Sequence, residues 1–243
     1  MALSFESSDS SALRVRGLFV GVEDFENGVV GASYCSDDAT SLHKVFHEQN
    51  DDVILLCGEM ATGENVLGNL SQLMNRACSG DLLVLFVSTI GIVRHNDLFF
   101  LPYDGDGENL LATGVSSKLL INTMGSVADQ GVKVLLIFDT SHSGAIGFDI
   151  SKSQSKNGGG ISCFFSASPT EDCYESERLS HGNFSYHLVE GLRGSADVDG
   201  NGIITLRNLY DHVYKHTQSD SSNKQHPILI GTLPNETGLL NSG

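Results

Sequence analysis

Val134-Leu-Leu-Ile-Phe-Asp-Thr-Ser-His-Ser-Gly144 decides the fold of this chain. An unbroken apolar run ends in Asp139, then come small polar residues and a glycine. A run without polar alternation is buried on both faces, as strands of a parallel sheet are. Its acid-and-hydroxyl tip then stands at the carboxyl edge, where open α/β sheets carry their sites. About fifty residues earlier, Asp81-Leu-Leu-Val-Leu-Phe-Val-Ser-Thr-Ile-Gly91 repeats the pattern and ends in a second small polar tip.

Outward from these two strands, apolar runs alternate with helical patterns, as expected of a doubly wound α/β domain. Leu13 to Val22 reads as a first strand. Ser36 reads as the N-cap of a helix reaching about Gln49. Asp52 to Cys57 is a short strand, and Asn65 to Ala77 a helix with Val66, Leu70, Leu73 and Ala77 on one stripe. Leu98 to Leu101 is a small flanking strand ending at Pro102, Ser117 to Val127 a helix, and Lys133 to Asp139 the long fourth strand. Asp149 to Gly160, rich in Ser, Lys and Gly, has the composition of a flexible linker. Ile161 to Ser166 resumes the sheet and Phe184 to Leu192 is helical. Thr205 caps a helix with Leu206, Leu209, Tyr210 and Val213 inward, and Pro227 to Thr232 is a late edge strand. There is no internal repeat and no second composition regime, so one domain is the economical reading.

With 243 residues, 40% hydrophobic and 18% charged, the chain has an ordinary globular composition. A formal charge of −16 repels phosphate backbones and anionic membranes, which sets nucleic-acid binding aside and favours cationic partners or metal ions. No apolar run approaches the roughly 20 residues of a membrane span. Met1 to Ser11 lacks the basic and apolar regions of a secretory signal. Five cysteines without Cys-x-x-Cys spacing fit free thiols in a reducing compartment, and the expected location is cytoplasmic.

The strand ending at Gly144 resembles the nucleophile strand of the caspase-like cysteine peptidases, whose motif reads Asp-x-Cys-x-Ser-Gly. The earlier strand resembles that family's histidine strand, ending Ser-Gly-His-Gly. Further landmarks follow in order. Arg16 to Val22 is similar to the opening strand of the bacterial caspase homologues, metacaspases and orthocaspases. Gly31-Ala-Ser-Tyr-Cys-Ser-Asp-Asp-Ala39 resembles a variant of their Gly-Ala-x-x-Asp-Ala helix start. Leu98 to Asp104, Ser166-Ala-Ser168 with Glu175, Gly182 to Tyr186, and Gln225-His-Pro227 match later landmarks. The resemblance implies a three-layer αβα sandwich on a mostly parallel sheet of about six strands. It divides the chain into a large-subunit-like part (1–148), a linker (149–160) that active relatives often cleave, and a small-subunit-like part (161–243).

Two departures bear on chemistry. Ser141 stands where the resemblance places the nucleophilic cysteine, and Ile90 where it places the general base. A thiolate forms near neutrality with a histidine's help, whereas a serine needs a well-placed base and an oxyanion hole. Ile90 neither accepts nor donates a proton, and members of one catalytic unit fail together. The expectation is a caspase-like domain without peptidase activity, a binding or regulatory partner for a protein or peptide. Basic segments and an active caspase-like relative, paired through the edge strand near Pro227, are the partners considered. The rival is an endopeptidase preferring Arg or Lys at P1, either inactivated by a Cys→Ser replacement or using a displaced base. Under it, Lys152 and Lys156 are natural self-cleavage sites.

Candidate replacements are His95, in the loop after Ile90, and His142, whose position beside Ser141 points it away. Cys173 has acidic neighbours that raise a thiol's pKa, and it reads as inert. Cys35, Cys57, Cys78 and Cys163 read as core fillers. The resemblance gives Asp139 a role in selecting basic P1 side chains, and an acid there can hold Arg or Lys without catalysis. The alternative is that Asp139 only caps backbone amides. Ser166 and Glu175 are placed in the same pocket. Asp197, Asp199, Asn201 and the Ile203 carbonyl follow the first half of a Ca²⁺ loop, but position 12 is Asn208 instead of a bidentate Glu. A helix-starting turn is favoured there, with weak Ca²⁺ binding the alternative. No cofactor is required.

Overall fold

The computed structural model describes residues 13–29, 31, 33–95, 97–141 and 157–242. In chain order the first half runs β1 (Val15–Gly21), α1 (Cys35–His47), β2 (Asp52–Cys57), α2 (Gly63–Arg76), β3 (Leu82–Ser88), β4 (Gly91–Arg94), β5 (Asp97–Phe100), α3 (Leu110–Thr113), β6 (Val115–Ser116), α4 (Ser117–Ala128) and β7 (Lys133–Asp139). The second half runs β8 (Gly160–Phe165), β9 (Glu175–Ser176), β10 (His181–Gly182), α5 (Asn183–Glu190), a π turn (Gly191–Ser195), β11 (Ile203–Thr205), α6 (Leu206–Asp220), β12 (Ile228–Gly231) and β13 (Gly238–Asn241). No helix among the described residues is long and apolar enough to cross a membrane.

Six strands form the main sheet in the order β12-β8-β7-β3-β1-β2. All neighbours are parallel except β12, which runs antiparallel to β8 at the edge. The sheet is covered on both faces, which is why its central strands carry no polar alternation. On β7, Val134, Leu136 and Phe138 join the core beneath α2 and α4, while Leu135 and Ile137 join the core beneath α1, α5 and α6. That two-residue period decides where the strand's acid goes. Phe138 faces the α2/α4 layer, so Asp139 faces α1 and α5. The register pairs Ser88 with both Asp139 and Gly21, which brings the tips of β1, β3 and β7 level at the carboxyl edge. Chain order reverses between β1 and β3, so the level tips flank a topological switch point.

The six strands of the main sheet, and β5, agree with the apolar runs to within a residue or two; the short strands β4, β6, β9, β10, β11 and β13 were not expected, and the helix ends differ more. Ser36 is not the N-cap of α1. The cap position is Tyr34, in the left-handed region at φ 60°, with no side-chain cap. The start of α1 is set by a close approach to β1: a Cβ on Gly21 would lie 2.3 Å from the Cys35 carbonyl oxygen. The second helix begins two residues earlier than its stripe implies, because Thr62 Oγ1 accepts the Asn65 N–H at 3.2 Å. Thr205 caps α6 as expected, accepting the Asn208 N–H at 3.2 Å.

Most of the expected linker, residues 149–156, lies outside the described residues, as do His142, Lys152 and Lys156. Its last residues belong to the fold instead. Gly160 opens β8, and a Cβ on Gly159 would meet the Ala128 carbonyl oxygen at 2.3 Å. The helix expected to reach Leu192 ends as α5 at Glu190 and passes into the π turn, with Gly194 at φ 117°.

Candidate functional site

A cavity of about 430 Å³ opens at the carboxyl edge of β1, β3 and β7. Ser141, Ile90, Asp139 and Glu175 all line it. Asp38, Cys35 and Gly182, not singled out as site residues, are among the other groups that line it. Cys35 and Asp38 lie three positions apart in the first turn of α1 and so share a face. That spacing inside Cys35-Ser-Asp-Asp38 was the available signal. Cys35 is buried, as its reading as a core filler expects, and it also borders the cavity. Cys78 is exposed, which departs from that reading, while Cys163 is fully buried.

Two carboxylates form the cavity floor. Asp139 is 7% exposed and Oδ2 accepts a 2.6 Å hydrogen bond from Ser185 Oγ on α5. Asp38 is 2% exposed; its Oδ1 lies 2.8 Å from His181 Nδ1 and accepts the Gly182 N–H at 3.2 Å. Gly182 lets the two acids converge, since a Cβ there would sit 3.0 Å from Asp139 Oδ2 and 3.2 Å from Asp38 Oδ2. Burial pushes the Asp38 carboxyl up to about 7; the His181 hydrogen bond opposes this, and the Asp139 charge adds to it. Burial likewise raises Asp139, against the hydrogen bond from Ser185. Asp139 thus takes a side-chain hydroxyl bond rather than capping backbone amides alone.

Ser141 Oγ accepts the Cys173 N–H at 3.1 Å. The Cys173 sulfur lies 2.9 Å from Ser166 Oγ. Burial pushes that thiol well above the usual range and the Asp139 charge adds to it, so desolvation outweighs the acidic neighbours invoked from sequence. Ser166 does not line the cavity. It is fully buried behind Cys173, where its hydroxyl accepts the Thr140 N–H at 3.1 Å and secures the β7 tip. Glu175 sits at the rim, with Oε1 accepting the Ser33 N–H at 2.9 Å. Ile90 contributes an aliphatic wall, and its carbonyl accepts the Leu101 N–H at 3.0 Å.

His95 is not brought to this site. It turns the β4–β5 hairpin at φ 50°, exposed, four residues of strand beyond the cavity wall. At about 3.3 Å per residue, that is on the order of 13 Å along β4. The described residues that line the cavity include no histidine.

The Asp197–Asn208 segment lies elsewhere and uses its oxygens internally. Asp197 Oδ1 accepts the Asn201 N–H at 3.1 Å, and Oδ2 accepts the Gly202 N–H at 3.0 Å and the Ser242 hydroxyl at 2.6 Å. Asn201 Oδ1 accepts the Ile203 N–H at 2.9 Å. The result is a turn leading into β11 and α6. Among the described residues no group of three or more His, Cys, Asp or Glu is arranged to hold a metal ion.

Comparison with solved structures finds the same architecture in protein GSU0716 from Geobacter sulfurreducens, at TM-score 0.68 and 15% identity, covering 91% of this chain and 94% of that one. No curated protein matches the chain. The caspase-domain family model, peptidase C14, matches residues 14–237, nearly the whole length. The chain belongs to the caspase-domain family.

Proposed function

We propose that this caspase domain binds basic side chains in its acidic cavity without cleaving the peptide that carries them. The observation that supports this most is the composition of the cavity wall. Asp38, Asp139 and Glu175 supply negative charge, and the lining residue just past β3 is the aliphatic Ile90. A guanidinium or ammonium group gains charge-assisted hydrogen bonds from buried carboxylates and relieves their mutual repulsion. Proton transfer from Ser141 has no imidazole to receive it among the described lining residues. Binding is therefore retained where bond breaking is lost. The protein acts as a holder of Arg- or Lys-bearing segments, with the β12 edge available for pairing to a relative.

The test is calorimetric titration with N-acetyl-arginine amide, beside the neutral isostere N-acetyl-citrulline amide. The arginine ligand binds and the citrulline one does not. Its affinity rises with pH, by up to about tenfold per unit for each group, through the range where the raised Asp38 and Asp139 carboxyls ionise, Asp38 at about 7. Equal affinity for the two ligands, or affinity flat from pH 5.5 to 8, would sink the proposal.

A further inference from the structure

Away from the cavity, three imidazoles pack where α5 meets α6. His187 projects from α5, and His212 and His216, one turn apart, from the facing side of α6. Ring centroids are 4.5 Å apart for His212–His216, 5.4 Å for His187–His216 and 6.3 Å for His187–His212. His187 Nε2 lies 3.0 Å from Asp220 Oδ2. His212 differs from its neighbours: its Nε2 is buried and has no hydrogen-bond partner among the described residues. The π turn makes room for this ring, since a Cβ on Gly191 would approach His212 Cδ2 to 3.1 Å.

A buried ring nitrogen without a partner is tolerated as a neutral lone pair. Protonation turns it into a buried charged N–H with nothing to accept it, which costs far more. We propose that the packed His187–His212–His216 cluster is an acid-released latch, holding α5 on α6 while His187 and His212 are neutral and loosening it when they charge. The surrounding charges sharpen this at His212. Those acting on it are His216, His187 and Lys215, none of them negative. Asp220 and Glu190 act on His187 instead, and Glu190 also faces Arg193 at 3.9 Å. Burial lowers His187, and burial followed by the His216 charge lowers His212 to about 4.

The sign follows from linkage. With both groups lowered in the folded state, the unfolded chain takes up protons first as pH falls below about 6.5. The latch's contribution is present above that pH and is lost toward pH 4. Asp38, raised in the folded state, works in the opposite direction over the same window, so the latch shows in a variant-against-wild-type difference. The latch also reaches the cavity, because α5 carries Ser185 to Asp139 and Gly182 precedes its first residue. That last link rests on the function proposed above; the latch itself does not.

The experiment is urea unfolding of the full chain and of His212→Gln from pH 4.5 to 7.5. The ratio of folding constants, variant over wild type, rises by up to about tenfold per unit below pH 6.5. A ratio independent of pH overturns the latch. If the variant does not fold, wild-type NMR decides. A His212 ring that stays neutral to about pH 4 and charges as α5 amides lose exchange protection supports the proposal. A ring titrating near 6.5 with α5 still protected overturns it.

Discussion

An Asp139→Asn variant is expected to lose about 10- to 100-fold in affinity for N-acetyl-arginine amide while becoming more stable to urea at pH 8. The affinity loss follows from removing a buried charged acceptor, since hydrogen bonds to charged groups are worth about 1.5–3 kcal/mol. The stability gain follows from the same burial. Asp139 is held at the end of a fully apolar strand, and its carboxyl is raised because desolvation exceeds what Ser185 returns. Asparagine keeps an acceptor for Ser185 and dispenses with the charge. The gain shrinks toward pH 5, where the aspartic acid in the folded state binds a proton more readily than in the unfolded chain. Titration calorimetry and urea midpoints at both pH values check the two halves together. Loss of affinity with no gain in stability would mean that the floor acid is better solvated than its burial implies.

The second large effect concerns the strand that delivers the acid. Phe138→Ala is expected to cost about 3–5 kcal/mol, the range for truncating a buried phenylalanine. Phe138 is fully buried and packs between Phe100 and Phe165, with ring centroids at 4.7 and 5.7 Å. Phe138 lies within the buried apolar cluster beneath α2 and α4, so the energy of the cavity left behind adds to the lost transfer energy. Against a typical domain stability of about 5–15 kcal/mol, such a loss is a large fraction of the whole. Urea unfolding measures it. A cost below about 1 kcal/mol would show that the α2/α4 layer collapses onto the gap.

How far the sequence speaks varies with the residue. The bounds of β2 and β7 were legible because apolar runs on buried strands end where the chain leaves the sheet. The start of α1 was not, because a backbone approach to Gly21 fixes it rather than the cap chemistry of Ser36. The cavity brings together Ser141, Ile90, Asp139 and Glu175, which lie on three separate stretches of sequence, while Ser166 is drawn behind Cys173 and His95 is carried off on a hairpin. Asp38 went unread because an acid in a helix's first turn is usually solvated and dipole-stabilised. The packing of α1 across the sheet edge turns it inward, and its three-residue spacing from Cys35 was the one local sign of that face. The His212 cluster was likewise invisible, since its third ring comes from a different helix.

The central claim is that the cavity persists without its chemistry. The most direct test is turnover of fluorogenic Arg- and Lys-terminated peptides by the chain beside a Ser141→Cys/Ile90→His double variant. The account predicts no cleavage by the chain and measurable cleavage after Arg or Lys by the double variant. Cleavage by the chain as it stands, abolished by Ser141→Ala, would contradict it.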